Sequence, residues 1–177
     1  MPPVVCLIIR SAVALGLVAV ALLASGIGVA AVAPCVLAVV TPWLAGIDIR
    51  EHRLPNRLVV PAILAGILSC VGEWIVAGDP PIVPLVTGAG YPAFLLMLRV
   101  TGGMGMGDVK LGAALGLASW NVSIAVLSPV IAFLVGGLVA VALLAAGRRG
   151  HRIAFGPYLL GGYWVALALV AAAALGE

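Results

Sequence analysis

Long apolar runs with few charged residues constrain the fold of this chain more than any other feature. A helix needs about 20 apolar residues to cross the hydrocarbon core of a bilayer. Charged residues make up 8% of the 177 residues, whereas a soluble domain carries roughly a quarter. The sequence predicts an all-α fold, a polytopic transmembrane helix bundle of about seven spans, with six to eight possible, in which residues 1–177 form a single membrane-embedded domain. The apolar runs lie at about 11–28, 30–47, 58–77, 82–98, 109–126, 128–147 and 156–175.

The basic residues predict the orientation of these spans. If the amino terminus lies in the cytoplasm, all nine Lys and Arg fall on the cytoplasmic side, and the outer side receives Glu73, Asp79 and Glu177. Cytoplasmic loops of membrane proteins carry an excess of Lys and Arg. We therefore expect a multi-pass protein of the cytoplasmic membrane, surrounded by lipid, with its amino terminus inside. The basic residues are Arg10, Arg50, Arg53, Arg57, Arg99, Lys110, Arg148, Arg149 and Arg152.

The same residues argue against two other classes of site. The basic side chains are not gathered into a patch with aromatic partners, so no nucleic-acid partner is predicted. Cys6, Cys35 and Cys70 are scattered through apolar segments without the paired spacing of a zinc site. We predict no metal and no cofactor.

Two aspartates lie at the ends of apolar runs and are candidates for a catalytic pair. Asp48 ends the second predicted span and Asp108 begins the fifth, and these spans run in opposite directions. Both carboxyls should therefore lie at one depth, at the cytoplasmic face. Two neighbouring carboxyls share a proton, so that one can polarise a carbonyl while the other takes a proton from water. Alternatively, each Asp simply ends or begins a helix.

Glycine and proline surround both aspartates. Gly105 and Gly107 precede Asp108 in a G-x-G-D sequence, and such glycines permit backbone at membrane depth to depart from a helix. Pro55 should separate the helix of Asp48 from the next span, which Asn56 can cap. Small-residue spacing at Gly112-x-x-x-Gly116, and again at Gly161-Gly162, predicts close helix packing.

Three segments together resemble the prepilin peptidases, a family of aspartic peptidases of the intramembrane G-x-G-D type. The first family motif is an Asp followed after six residues by Pro and then Asp or Asn, here Asp48, Pro55 and Asn56. The second is G-x-G-D with a Lys two positions on, here Gly105, Gly107, Asp108 and Lys110. The third is Phe155-Gly156-Pro157, at the start of the last predicted span.

This resemblance implies a function and a set of site residues. The chain would be an aspartic endopeptidase that removes leader peptides from prepilin-like precursors, such as pilins, Flp pilins, pseudopilins or archaellins, with pilus or secretion machinery as possible partners. Asp48 and Asp108 would be catalytic, and the remaining motif residues would shape the site or bind substrate. By their plainer interpretation, Phe155, Gly156 and Pro157 only initiate a helix, and Lys110 only marks the cytoplasmic side.

Departures from the family pattern and rival functions qualify this prediction. No C-x-x-C pair occurs, so the chain resembles the short, peptidase-only branch, which lacks the amino-terminal cysteine-containing segment, and methyltransferase activity is in doubt. A small proton-coupled or ion-coupled transporter could also use two acidic residues at a membrane boundary. A non-enzymatic membrane subunit of a pilus or secretion machine would need neither aspartate.

Overall fold

The computed structural model describes residues 3–100, 104–147 and 154–176, and all regular structure within these ranges is helical. Six of the helices, all except α5, are long and apolar enough to cross a membrane. The predicted all-α, multi-pass bundle is confirmed, and six spans fall within the expected range. The helices are α1 (Pro3–Ser25), α2 (Val32–Glu51), α3 (Asn56–Ala77), α4 (Ile82–Val100), α5 (Met106–Leu117), α6 (Val122–Ala145) and α7 (Gly156–Leu175), with a short 3₁₀ turn at Val29–Ala31.

Helices α5 and α7 occupy the centre of the bundle. α5 packs against α3, α4 and α7, while α7 packs against α1, α2 and α6. Leu111 on α5 and Tyr163 on α7 are fully buried. Large apolar side chains such as Leu15 and Leu138 point outward instead. A bundle that is apolar on both its inner and outer surfaces is suited to a lipid environment.

The boundary predicted between the fifth and sixth spans, at residues 126–128, is wrong. α5 ends at Leu117 and α6 begins at Val122, after a cap in which the side-chain oxygen of Asn121 accepts the N–H of Ser123 at 2.7 Å. With 12 residues, α5 is about 18 Å long, well short of a hydrocarbon core of about 30 Å. α5 is therefore too short to cross the membrane as a helix by itself.

Hydroxyl groups from neighbouring helices satisfy the backbone where α5 ends. The hydroxyl of Thr87 on α4 lies 2.7 Å from the carbonyl oxygen of Gly116 and 2.7 Å from that of Val83 in its own helix, so it shares its proton between them. The hydroxyl of Tyr163 on α7 donates to the carbonyl oxygen of Ala118 at 3.1 Å. Backbone that leaves a helix at membrane depth must find partners within the protein. These two hydroxyls supply them.

Glycines allow α4 and α5 to approach closely. A Cβ at position 116 would lie 2.3 Å from the carbonyl oxygen of Thr87, and one at position 112 would lie 2.6 Å from a methyl of Leu95. The predicted packing role of Gly112 and Gly116 is confirmed. At the other predicted pair, Gly162 fits tightly against Ser128 and Ala132, whereas Gly161 has open space beside it.

Candidate active site

Asp48 lies in the last turn of α2, and its side chain is buried. One carboxyl oxygen, Oδ2, accepts the backbone N–H of Gly156 at 3.0 Å, at the start of α7. α2 ends where His52 adopts a left-handed conformation with φ of 51°, and the N–H of His52 donates to the carbonyl oxygen of Asp48. The end of one helix and the start of another thereby hold this carboxyl in place.

Asp108 lies in the first turn of α5, and its side chain is also buried. Its Oδ2 accepts the backbone N–H of Gly105 at 3.2 Å, and the positive end of the helix dipole favours an anion at this position. Asp108 lies outside the six membrane-spanning helices. The pKa of Asp108 is raised to about 6, chiefly because the carboxyl is buried. The hydrogen bond from Gly105 lowers this pKa, and the negative charge of Asp48 raises it. The two carboxyls are therefore close enough to interact electrostatically.

The segment between α2 and α3 joins these two positions through Leu54, a residue that the sequence did not single out. A Cβ at position 107 would lie 2.9 Å from Leu54 Cβ, and one at position 156 would lie 3.3 Å from Leu54 Cδ2. Leu54 therefore packs against both Gly107 and Gly156. A single apolar residue between Arg53 and Pro55 carries no periodicity, so no sequence pattern could have identified it.

Pro55 and Asn56 connect the start of α3 to α5. Pro55 is the cap residue of α3, which confirms the predicted break before this helix. Asn56 does not cap the helix, contrary to expectation, because its Oδ1 accepts a hydrogen bond from the ammonium of Lys110 at 3.0 Å. Lys110 is thus anchored to the first motif, two residues from Asp108.

The third motif opens α7 beside Asp48. Pro157 lies in the first turn, which confirms its predicted role in helix initiation. Gly156 leaves space for the carboxyl, since a Cβ there would lie 2.6 Å from Asp48 Oδ2. Phe155 stacks against Phe133 of α6 with ring centroids 5.0 Å apart. Sequence alone could not show that Gly156 contacts a residue 108 positions earlier.

All ten predicted site residues belong to the three motifs, are among the described residues and lie at one end of the bundle. Glu73 and Asp79 lie at the far end of α3 and in the loop that follows it. Gly102, Gly103, Arg148, Arg149, Arg152 and Glu177 lie outside the described residues. Within the described ranges, no three His, Cys, Asp or Glu side chains are grouped as metal ligands.

Two buried carboxyls that sense each other's charge are equipped for acid–base chemistry. They do not readily ionise together, so one keeps a proton at a pH where the other is charged. The protonated group can donate to a carbonyl oxygen while the ionised group accepts a proton from water. Such a pair supports hydrolysis of an amide bond without an external base.

Comparison with known proteins yields one family and a set of curated relatives. The family model described as the type IV leader peptidase family matches residues 35–145. A prepilin leader peptidase/N-methyltransferase of Xanthomonas campestris is 34% identical over 129 residues, covering 69% of this chain and 44% of the relative. A protein of the same name from Aeromonas salmonicida is 36% identical, covering 70% of this chain and 44% of the relative. Another from Pseudomonas aeruginosa is 34% identical, covering 68% of this chain and 43% of the relative. This chain spans less than half the length of these relatives. No solved structure matches it.

Proposed function

This chain belongs to the type IV leader peptidase family, and from that premise we propose that it is an aspartic endopeptidase that removes the leader peptides of type IV prepilin-like precursors. The precursor would be a pilin, Flp pilin, pseudopilin or archaellin-type protein. The observation that carries the proposal is that two buried carboxyls from different helices, Asp48 and Asp108, lie close enough to interact electrostatically. The names of the relatives also include N-methyltransferase, but the motif residues of this chain support the peptidase reaction alone.

The proposed reaction divides acid and base between the two carboxyls. Burial holds a proton on Asp108 up to about pH 6, so Asp108 donates a hydrogen bond to the scissile carbonyl. Asp48, whose Oδ2 accepts the N–H of Gly156, takes a proton from water as the water attacks the carbonyl carbon. The proton then passes to the leaving amine, so that one water is added across one peptide bond. This chemistry requires no cofactor and no metal.

The other motif residues position these carboxyls. Gly156 and Gly107 permit close approach of Asp48 and Leu54, while Lys110 ties Asn56 of α3 to α5. Gly105 donates to Asp108, and Pro55, Phe155 and Pro157 fix the helix starts. We propose that residues 1–177 act as one membrane-embedded peptidase domain, because α1 and α7, which lie outside the matched range 35–145, pack on the helices within it.

We further propose that the dyad faces the cytoplasm and that the amino terminus lies inside. Arg50, Arg53 and Arg57 lie at the junction of α2 and α3, beside Asp48. Arg99 and Lys110 flank the start of α5, beside Asp108. The positive-inside rule places such an end in the cytoplasm. Lipid and a prepilin-like precursor are then the partners, and pilus or secretion machinery would receive the product.

Replacement of each aspartate by asparagine tests the proposed function. Asp48→Asn and Asp108→Asn should each abolish precursor cleavage, because an amide neither accepts a proton from water nor donates one as an acid. Loss of one acid–base group typically lowers a rate by about 10²- to 10⁴-fold. Because the two groups act as a unit, the double variant should be barely slower than either single variant.

The assay is gel-based cleavage at matched expression, with a Pseudomonas aeruginosa prepilin as the probe and thermal unfolding in detergent as the folding check. Asp79→Asn and Glu73→Gln, at the other end of the bundle, are the controls and should cleave normally. Near-normal cleavage by either dyad variant would reject the proposal in favour of a transporter or a non-enzymatic subunit.

A further inference from the structure

A small cavity lies between α4, α5, α6 and α7, one helical turn from the candidate active site. Its volume is about 20 Å³, room for about one water molecule. Gly112 of α5 and Leu159 of α7 line it. Gly112 follows Asp108 by four residues and Leu159 follows Gly156 by three, so each lies on the same helix face as its site residue. The cavity therefore adjoins the dyad along two helices.

Two phenylalanines separate this cavity from the lipid-facing surface. Phe94 of α4 and Phe133 of α6 meet edge to face, with ring centroids 5.6 Å apart. Phe94 is 46% exposed, and Phe133 also stacks on Phe155, the residue before Gly156. A row of aromatic rings thus runs from the outer surface of the bundle to Phe155, whose neighbour Gly156 donates a hydrogen bond to Asp48.

The two helices that carry these phenylalanines contact each other over a short stretch, where the hydroxyl of Tyr91 on α4 donates to the carbonyl oxygen of Ala125 on α6. α4 packs along α5 and α6 packs along α7, whereas α4 and α6 meet over a much shorter stretch. Each also has a proline near the cavity, Pro92 in α4 and Pro129 in α6. A proline inside a helix removes one backbone hydrogen bond and permits a bend. α4 and α6 can therefore part at this depth while each keeps its main packing partner.

We propose that the seam between α4 and α6, closed by Phe94 and Phe133, is the lateral entrance through which an apolar, membrane-inserted segment of the precursor reaches Asp48 and Asp108. This inference rests on the proposed function and identifies the route that the substrate takes. The occupant is apolar because Phe94 is exposed on the lipid-facing surface and the lining is mostly aromatic and aliphatic, with Ser128 as its one aliphatic hydroxyl among the described residues. The hydrogen bond from the hydroxyl of Tyr91, which lines the cavity, to the carbonyl oxygen of Ala125 crosses the seam and must break when the seam opens.

The volume of the cavity indicates that the seam is closed in this structure. About 20 Å³ is far too small for a peptide segment, so the rings of Phe94 and Phe133 must separate before substrate enters. A covalent bridge between positions 94 and 133 should therefore block a membrane-inserted precursor.

Site-specific photocrosslinking tests the entrance without requiring turnover. A photoreactive phenylalanine analogue is placed at position 94 in the Asp108→Asn protein, which is reconstituted in liposomes with the Pseudomonas aeruginosa prepilin. The matched control is the same analogue at Leu96, which is also 46% exposed but lies on the opposite side of α4. Irradiation should yield an adduct with the apolar segment of the precursor at least fivefold more efficiently from position 94. Equal yields from the two positions, or no adduct from position 94, would overturn the entrance.

A reversible bridge across the seam provides the second measurement. Phe94→Cys and Phe133→Cys are combined in a protein in which Cys6, Cys35 and Cys70 are replaced by Ala, and the new thiols are joined with a short, reducible bifunctional reagent. Bridged protein should cleave the prepilin at least tenfold more slowly than the same protein before bridging or after reduction. An unchanged rate in the bridged protein would refute the entrance. Absence of cleavage by the unmodified chain would instead refute the proposed function itself.

Discussion

At the scale of single residues, the buried carboxyl of Asp108 links stability to pH. Burial raises the pKa of Asp108 from its ordinary value of 3.8 to about 6, so between these values the folded protein binds a proton that the unfolded chain releases. The stabilisation from the neutral form is complete below about pH 4 and is lost as the pH rises through 6. Asp108→Asn should therefore raise the melting temperature in detergent at pH 7.5 and leave it nearly unchanged at pH 4.

The exposed Asp79 provides the control for this measurement. Asp79→Asn should shift the melting temperature little at either pH, because Asp79 is an exposed residue in a loop. A lower melting temperature for Asp108→Asn at pH 7.5 would mean that the ionised carboxylate stabilises the fold, contrary to the prediction.

Gly156 provides a test of how closely Asp48 must be positioned. In Gly156→Ala the new Cβ would lie 2.6 Å from Asp48 Oδ2, so the carboxyl must move and lose the N–H of residue 156. Displacement of a reacting group by about 1 Å can lower a rate by about 10²-fold. We expect a loss of that order in kcat for precursor cleavage. Gly161→Ala, on the same helix with open space beside it, should retain full activity, and equal rates for the two variants would contradict the assigned contact.

Residues with a chemical signature could be found from the sequence, whereas those that act through contact could not. Asp48 and Asp108 stood out because a carboxyl at a membrane boundary is rare and costly. Leu54 did not, because its role depends on two glycines brought to it from distant helices. Asn56 was assigned the common role of its residue type, a helix cap, although Lys110 turned out to be its partner.

At the scale of helices, the approach of α4 to α5 depends on Gly116. A Cβ at this position would lie 2.3 Å from the carbonyl oxygen of Thr87, which belongs to the backbone and cannot rotate away. Gly116→Ala should therefore push α4 from α5 and lower the free energy of unfolding by about 1–3 kcal/mol. Gly90→Ala, on α4 with nothing nearby, is the matched control. Denaturant unfolding in detergent compares them, and equal midpoints would reject tight packing at Gly116.

The length of α5 explains why its boundary was predicted wrongly. Residues 109–126 are apolar almost throughout, and an apolar run predicts burial without showing where a buried helix stops. Where α5 stops, hydroxyls of Thr87 and Tyr163 lie against the carbonyls of Gly116 and Ala118. These donors lie on α4 and α7, so the stop is a tertiary feature. α3, α4 and α7 lie within two residues of their predicted bounds because their ends coincide with polar, Gly or Pro residues, whereas α1 begins at Pro3 and α6 at Val122, eight and six residues before their predicted starts.

At the scale of the whole molecule, the antiparallel course of the helices gathers the functional residues. α2 ends, α4 ends, and α3, α5 and α7 begin at one end of the bundle. The three motifs occupy these termini, so residues more than 100 positions apart contact each other, as Gly156 and Asp48 do. Sequence analysis recovered this arrangement because opposite span directions follow from counting the apolar runs. Sequence analysis could not predict the Phe94–Phe133 seam, because the seam depends on how α4 packs against α5 and α6 packs against α7.

Membrane orientation is the remaining property of the whole molecule to be tested, and it decides which compartment provides the substrate. Arg10 of α1 strengthens the assignment made from the loops, because its guanidinium lies against Gly46, two residues before Asp48. A cation within a span is held near the membrane side that favours positive charge. The dyad end should therefore face the cytoplasm.

Single cysteines at exposed positions near the two ends of the bundle test this orientation in intact cells. One protein carries Asp79→Cys, in the loop between α3 and α4, and the other carries Ala146→Cys, directly after α6. In both proteins Cys6, Cys35 and Cys70 are replaced by Ala. An impermeant thiol reagent should label position 79 from outside and position 146 only after permeabilisation, because the positive-inside rule places the dyad end in the cytoplasm. The reverse pattern would place Asp48 and Asp108 outside the cell, where a precursor that had not yet crossed the membrane could not reach them. Labelling of both positions from one side would contradict the odd number of crossings that α4, α5 with the residues after it, and α6 make between them, and would require a different count of spans.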